Sequence, residues 1–166
     1  MPEHEVIDKL MNRAGRLLAR RLYSCGALRQ KLLPFASEHE VDATLSRLKE
    51  LNLLNDSNYA YNLALFQIAK QGWGPIKALH SLLRYKVAPE VAQEAIERVR
   101  QDESFENALT RYLEKIFRKG PAPQNRKDLV KLINRLRRRG FEEDTIFNTL
   151  RQKMPAALWR TYDFGD

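Results

Sequence analysis

The most highly charged stretch of the sequence, Arg126–Arg139, has the composition of a phosphate-binding surface. It holds seven basic residues and one acid, Asp128. Its apolar residues recur at helical spacing, so a helix here would bury one side and offer its cations on the other. An ordinary solvated helix face is the alternative interpretation, but too few acids are present to balance the charge. The apolar residues are Leu129, Leu132, Ile133 and Leu136, and the candidate DNA-contacting residues are Lys127, Lys131, Arg135, Arg137, Arg138 and Arg139.

A second, weaker basic stripe is expected near the start of the chain. Four cations recur there at intervals of three to four residues along a predicted helix. Glu5 and Asp8 could neutralise them, so a contact surface and a solvated face remain equally open. The cations are Lys9, Arg13, Arg16 and Arg20, of which the three arginines join the candidate contact set.

Residues that could perform enzyme chemistry are sparse. The single cysteine, Cys25, would need a nearby base to act as a nucleophile, and nothing in the sequence links it to a histidine. A glycine-rich phosphate loop, a metal-spaced cluster and a catalytic triad pattern are not legible. We therefore predict a protein that is not an enzyme and that uses no cofactor and no metal. The three histidines are His4, His39 and His80.

Apolar periodicity and turn residues predict helices and no strands. Asp56 or Ser57 is the expected cap of the fourth helix, whose predicted core side carries Tyr59, Leu63, Phe66 and Ala69. The tail Trp159–Asp166 is expected to be mobile or to dock through Trp159 and Tyr162. The nine predicted helices are Val6–Leu22, a helix capped by Ser24 and ended by Pro34, Val41–Leu51, Asn58–Lys70, a helix starting at Pro75, Glu90–Val99, a helix capped by Asp102 or Ser104 and reaching about Arg118, Arg126–Arg139 and Asp144–Lys153.

These helices form three predicted triplets, 1–56, 57–103 and 104–166. The stretch Gly72–Ile96 contains a turn and two short amphipathic helices, and six of its apolar positions return 54 residues later from Val130 onward. The first of these helices is expected to pack through Ile76, Leu79, Leu82 and Leu83. Such a helix pair could read DNA, but the second helix carries Glu90, Glu94 and Glu97, which would repel phosphates.

The net charge of +8 is concentrated in the last triplet, where residues 104–166 carry fourteen basic and eight acidic side chains. This excess indicates an acidic partner, either nucleic acid or an acidic protein groove. No apolar run is long enough to span a bilayer. The polar start of the chain and its one cysteine suit a reducing compartment, so a cytoplasmic location is expected.

The order of four motifs resembles the RecX family, the bacterial modulators of the RecA recombinase. The motifs are SCGALRQKL at Ser24–Leu32, LKELNLLNDSNYA at Leu48–Ala60, the stretch Gly72–Ile96, and LRRRGFEEDTIFNTL at Leu136–Leu150. Departures from the family pattern are Ala27 in place of a glutamate, the segment Asn52–Asp56 in place of a glycine-containing turn, and Lys86 in place of a glycine.

The resemblance implies an all-α fold of tandem three-helix repeats that is elongated and curved. It implies binding to the filament of RecA on single-stranded DNA, and to DNA itself, with duplex DNA left open. A monomer is expected. It implies inhibition of the recombinase, ATPase and coprotease activities of RecA. A stand-alone helix-turn-helix DNA-binding protein is the alternative.

Overall fold

The computed structural model describes residues 3–160, and within them the chain is all-α with no strand. The predicted tail residues 161–166, including Tyr162, lie outside the described part. No helix among the described residues is both long and apolar enough to cross a membrane. The helices are α1 Glu3–Leu18, α2 Cys25–Leu32 followed by a 3₁₀ turn Leu33–Phe35, α3 Glu38–Glu50, α4 Asp56–Ala69, α5 Pro75–Arg84, α6 Pro89–Asp102, α7 Phe105–Phe117, α8 Arg126–Arg138, α9 Glu143–Lys153 and α10 Ala156–Arg160.

By its contacts the chain divides into two compact units. Unit 1 comprises Met1–Leu63 and Ser81–Ala95, and unit 2 comprises Ala64–His80 and Ile96–Asp166. The division into three repeats at 1–56, 57–103 and 104–166 remains a prediction from the sequence.

Unit 1 is built around a leucine-rich core from α1, α2 and α3. Ser24 caps α2, as predicted, by accepting a hydrogen bond from the backbone N–H of Ala27 at 3.1 Å. Ser37 and Glu40 form a reciprocal capping box, which starts α3 three residues earlier than its apolar pattern indicated. The buried core residues are Leu10, Ala14, Leu28, Leu32, Val41, Leu45, Leu48 and Leu54.

Unit 2 has a second core, shared by α7, α8 and α9. Of the two expected caps of α7, Ser104 and not Asp102 accepts the N–H of Asn107. Trp159 packs on this core with its ring edge-on to Phe147, the two centroids being 6.1 Å apart. The buried core residues are Leu109, Tyr112, Leu113, Leu129, Leu132, Ile133, Leu136, Phe141, Ile146, Leu150 and Met154.

The predicted core face of α4 is wrong at Phe66, whereas Tyr59, Leu63 and Ala69 are partly buried. Phe66 is 52% exposed, whereas Ala60, Ala64 and Ile68 are fully buried. The helix is apolar on most sides, so periodicity alone does not decide which side faces the core. Its cap is also different, because the side chain of Asn55 accepts the N–H of Asn58 at 2.9 Å.

Asp56 has another role within unit 1. Its carboxylate accepts the backbone N–H of Cys25, the first residue of α2, at 2.7 Å. The carboxylate therefore satisfies one of the N–H groups that a helix start leaves unpaired.

The predicted packing face of α5 also needs correction. Leu82 is buried and Leu79 is partly buried, as expected, but Ile76 is 44% and Leu83 37% exposed. Ala78 takes an inward position instead.

Helix α1 ends at Leu18, four residues before its predicted end. Arg20 consequently lies in the turn that follows the helix rather than on the same continuous helix as Arg13 and Arg16.

Candidate nucleic-acid interface

Helix α8 is fixed at both ends by local hydrogen bonds. At its start Asn125 accepts the N–H of Asp128 at 3.0 Å and donates its side-chain amide to the Asp128 carboxylate at 2.9 Å. At its end Gly140 has φ +83, and the N–H of Phe141 reaches back to the carbonyl of Leu136. This is a Schellman ending, which places a glycine in the left-handed conformation just past the helix.

Four buried residues on one side of α8 orient its cations. With 3.6 residues per turn, Lys127, Lys131 and Arg138 lie within about 30° of the direction opposite the buried side. All three are exposed, and they span about 16 Å along the helix at about 1.5 Å per residue. We call Lys127, Lys131 and Arg138 the outer stripe. Among the described residues, the only ion pair in this stripe is Lys131 with Asp128, at a distance of 4.0 Å.

Two other candidate arginines of α8 are engaged within unit 2. The Arg135 Nε donates to the Tyr112 hydroxyl at 3.1 Å. Arg137 pairs with the Glu143 carboxylate at 2.7 Å and donates to the Asn134 side-chain carbonyl at 3.2 Å. These two side chains point about 70° and about 90° away from the centre of the outer face by helical geometry. Their charge is therefore partly committed to holding α8 in place.

Arg139 is a structural clamp. Its Nε donates to the carbonyl oxygen of Gly72 at 3.0 Å, and its Nη2 donates to the carbonyl oxygen of Gln71. The guanidinium carbon also lies 4.7 Å from the centroid of the Tyr112 ring. These carbonyls follow the end of α4, where acceptors lack partners within the helix. Arg139 thus donates to backbone acceptors of unit 2, and it is not counted in the outer stripe.

The backbone completes the same junction. The N–H groups of Gly74 and Ile76 donate to the carbonyls of Arg139 and Gly140 at 2.7 and 3.1 Å, so the start of α5 caps the end of α8. A Cβ on Gly74 would overlap the carbonyl group of Gly140, and only glycine permits this approach.

A cleft of about 380 Å³ runs beside α8 in unit 2. One wall is the proline-containing loop 120–124, and the other carries Lys131 and Arg135 of α8. The cleft lies next to the outer stripe, and the acid Asp128 lines it together with these two cations.

The four cations predicted in unit 1 do not all lie on one stripe, because Arg20 lies beyond the end of α1. Arg13 stacks over the ring of Phe35, with 3.3 Å from its guanidinium carbon to the ring centroid. Arg16 is exposed on α1. No pattern in the sequence predicts the pairing of Arg13 with Phe35, because these residues are distant along the chain and come together only through packing.

Cys25 has the environment of a structural thiol. Burial raises the pKa of its thiol, and a favourable charge from Lys49 only partly opposes this. A raised pKa disfavours the reactive thiolate. No group of three or more potential metal ligands is present in the described part of the chain.

Comparison with known proteins finds several relatives named "Regulatory protein RecX". The chain is 34% identical over 128 residues to the one from Thermus thermophilus, covering 77% of this chain and 80% of that protein. It is 33% identical over 144 residues to the one from Prosthecochloris aestuarii, covering 86% and 91%. The chain belongs to the RecX family. No family model matches it.

The fold agrees with solved RecX structures. The crystal structure of RecX from Lactobacillus salivarius superposes with a TM-score of 0.79 at 21% identity, over 90% of this chain and 97% of that chain. A second RecX crystal structure gives a TM-score of 0.65 at 19% identity, over 86% of this chain and 70% of that chain. The all-α fold expected from the sequence is therefore confirmed.

Proposed function

We propose that this RecX-family protein is a non-enzymatic regulator that binds the RecA filament on single-stranded DNA and inhibits its recombinase, ATPase and coprotease activities. The observation that carries the proposal is the outer stripe of α8, joined to membership of a family whose proteins are named regulatory. Lys127, Lys131 and Arg138 face solvent together and can contact a phosphate backbone, while the apolar side of α8 holds the helix on its unit.

We infer different roles for the other candidate arginines of the basic stretch. Arg135 and Arg137 contribute positive charge at the flanks of the stripe while tethering α8, and Arg139 acts in folding. A filament that contains nucleic acid presents regularly spaced phosphates, so a rigid row of cations suits it.

Reading of duplex sequence by α6 is disfavoured. Glu90, Glu94 and Glu97 are all exposed on this helix, and carboxylates would meet phosphates in a groove. A stand-alone sequence-specific DNA-binding protein would need another reading helix.

The proposal is tested with RecA from the same organism bound to single-stranded DNA. The purified protein should lower DNA-dependent ATP hydrolysis and RecA-promoted strand exchange in a dose-dependent way. A variant with Lys127, Lys131 and Arg138 changed to Ala should require a higher concentration for the same inhibition. Unchanged ATP hydrolysis at saturating wild-type protein would refute the regulatory proposal.

A separate measurement addresses the alternative. A footprint on duplex DNA that persists at about 200 mM salt would favour a stand-alone DNA-binding protein, because non-specific phosphate binding weakens steeply in that range. We expect no such footprint.

A further inference from the structure

Unit 1 contains a groove of about 740 Å³ that has no part in the outer stripe. Its apolar surface comes from α1 and from the segment after α2, and includes Val6, Leu10 and Phe35. Phe35 remains 52% exposed although it is a large aromatic residue. An exposed ring beside buried aliphatic side chains is typical of a binding groove rather than of a solvated loop.

The rim of this groove is positively charged. Lys9, Arg13 and Arg16 line it from one side of α1, about 6 and about 4.5 Å apart along the helix axis. Lys9 forms an exposed ion pair with Glu5 at 2.9 Å, whereas Arg16 has no ion pair among the described residues.

Glu40, the one acid among the described residues that line the groove, is already hydrogen-bonded. The carboxylate of Glu40 accepts hydrogen bonds from the N–H and the hydroxyl of Ser37, at 2.8 and 2.7 Å. These bonds also hold its pKa below the ordinary value, because hydrogen bonding from Ser37 favours the charged form. Glu40 therefore stays ionised as part of the cap of α3, and the rim is net positive because three cations line the groove with it.

The chemistry favours a peptide over a nucleic acid. Single-stranded nucleic acids bind aromatic platforms by stacking bases on an open ring face. The guanidinium of Arg13 already covers one face of Phe35 at 3.3 Å from the centroid. The rest of the apolar lining is aliphatic, from Val6 and Leu10, and suits Leu or Phe side chains, while the row of cations beside it suits carboxylates.

We propose that this groove binds an amphipathic, acidic helix of a partner protein, which inserts apolar side chains against Val6, Leu10 and Phe35 and sets carboxylates against Arg13 and Arg16. The charge complementarity and the helical spacing of the rim cations define this partner. The site uses residues other than those of the outer stripe, so it does not depend on the proposed contact with nucleic acid.

The test uses full-length protein and a fluorescein-labelled peptide of about 14 residues, or about four helical turns, with Leu and Phe on one face and Glu on the other. Fluorescence anisotropy measures its affinity for the wild type. Arg16→Glu should weaken binding about five- to tenfold by replacing attraction with repulsion, and Phe35→Ser should weaken it about tenfold.

The matched control is Lys31→Glu. Lys31 is exposed in the last turn of α2, as Arg16 is in the last turn of α1, but it does not line the groove. It should leave peptide affinity within about twofold, since screened charges away from a site act weakly. Far-UV circular dichroism and thermal unfolding verify that each variant is folded.

Three results would overturn the proposal. The peptide could fail to bind the wild type, or bind equally well when its Leu and Phe are replaced by Ser. Alternatively, Arg16→Glu and Phe35→Ser could weaken binding of an oligo-dT strand rather than of the peptide, which would make the groove a nucleic-acid site. Loss of peptide binding with normal inhibition of RecA ATP hydrolysis would separate this site from the proposed function.

Discussion

Neutralising the outer stripe should change the salt dependence of DNA binding by a calculable amount. Lys127, Lys131 and Arg138 face away from the core of unit 2, so changing all three to Ala removes charge without opening a cavity. Alanine is also the best helix former, so α8 itself should persist.

The magnitude follows from counterion release. Each phosphate contact on a single strand contributes about 0.7 to the slope of log K against log salt, so three contacts contribute about 2. The variant should therefore bind oligo-dT more weakly at low salt, with a slope smaller in magnitude by about 2. Its melting temperature should stay close to that of the wild type, because surface substitutions change stability by about 0.5 kcal/mol or less.

The assay is anisotropy of labelled oligo-dT across a salt series. The control changes Lys31, Lys70 and Arg84 to Ala, which lowers the net charge of +8 by the same three units from exposed positions outside α8. If the control flattens the slope as much as the stripe variant does, binding depends on net charge and not on α8. An unchanged slope in the stripe variant would remove these three residues from the interface.

Three further predictions concern stability and are measured by urea unfolding. Arg139→Ala should lower the free energy of unfolding by about 2 kcal/mol, because two backbone carbonyls lose a charged donor. The control Arg138→Ala should lower it by less than about 0.5 kcal/mol. Equal effects of the two substitutions would contradict the role of Arg139 as a clamp. Gly74→Ala should cost about 2 kcal/mol or more because its Cβ meets backbone atoms, whereas Gly15→Ala, with nothing within 4 Å, should stabilise by about 0.5–1 kcal/mol. Burial raises the pKa of the Asp56 carboxyl in the folded protein above its value in the unfolded chain. The stability associated with the protonated carboxyl is therefore fully present below the unfolded pKa, and it is lost as pH rises through the folded pKa. The stability of Asp56→Asn relative to the wild type should therefore rise from about pH 3.5 to about pH 7, and a difference independent of pH would contradict the raised pKa.

The basic helix was predictable because its signals are local. The polar start before Arg126, the apolar period and Gly140 lie within one short stretch, and the observed helix ends one residue before the predicted end. The excess of basic residues in this stretch could also be identified from the sequence alone. The outer stripe can be derived from the same pattern once the buried side is known.

The contacts that individual arginines make could not be predicted from their spacing in the sequence. Arg135, Arg137 and Arg139 look alike in the sequence, but Arg139 meets a carbonyl 67 residues earlier and Arg135 meets a tyrosine 23 residues earlier. Contacts of this range arise from packing of several helices. The same reason explains the error in α4, where small alanines rather than the large Phe66 face the core.

The 54-residue repeat of apolar positions is matched by the backbone conformation at Lys86 and Gly140, which are 54 residues apart. Each follows a helix, with φ 62 and φ 83 respectively. In each case the next N–H, of Val87 or Phe141, bonds the carbonyl five residues back. The two helix pairs therefore end their first helix in the same Schellman geometry, although one uses a lysine where the other uses glycine.

This equivalence yields a test of strain at Lys86. A left-handed conformation costs a residue with a Cβ roughly 1–2 kcal/mol, while glycine loses about 0.4–1 kcal/mol more backbone entropy on folding. Lys86→Gly should therefore stabilise the protein by about 0.5–1 kcal/mol in urea unfolding. The opposite control is Glu94→Gly, at an exposed position in the middle of α6, where the backbone is helical and glycine should destabilise by about 1 kcal/mol. Equal effects of the two substitutions would contradict strain at Lys86.

Gly26 packs against the turn at Lys86. A Cβ at Gly26 would overlap the Lys86 carbonyl oxygen and would lie 2.9 Å from the Lys86 Cβ. Gly26→Ala should be destabilising, and Lys86→Gly should relieve only the smaller part of the clash because the carbonyl oxygen remains. We therefore expect the double variant Gly26→Ala, Lys86→Gly to regain only part of the stability that Gly26→Ala loses. Full recovery of stability would show that the lysine side chain, rather than the backbone carbonyl of the left-handed turn, limits how closely α2 approaches this turn.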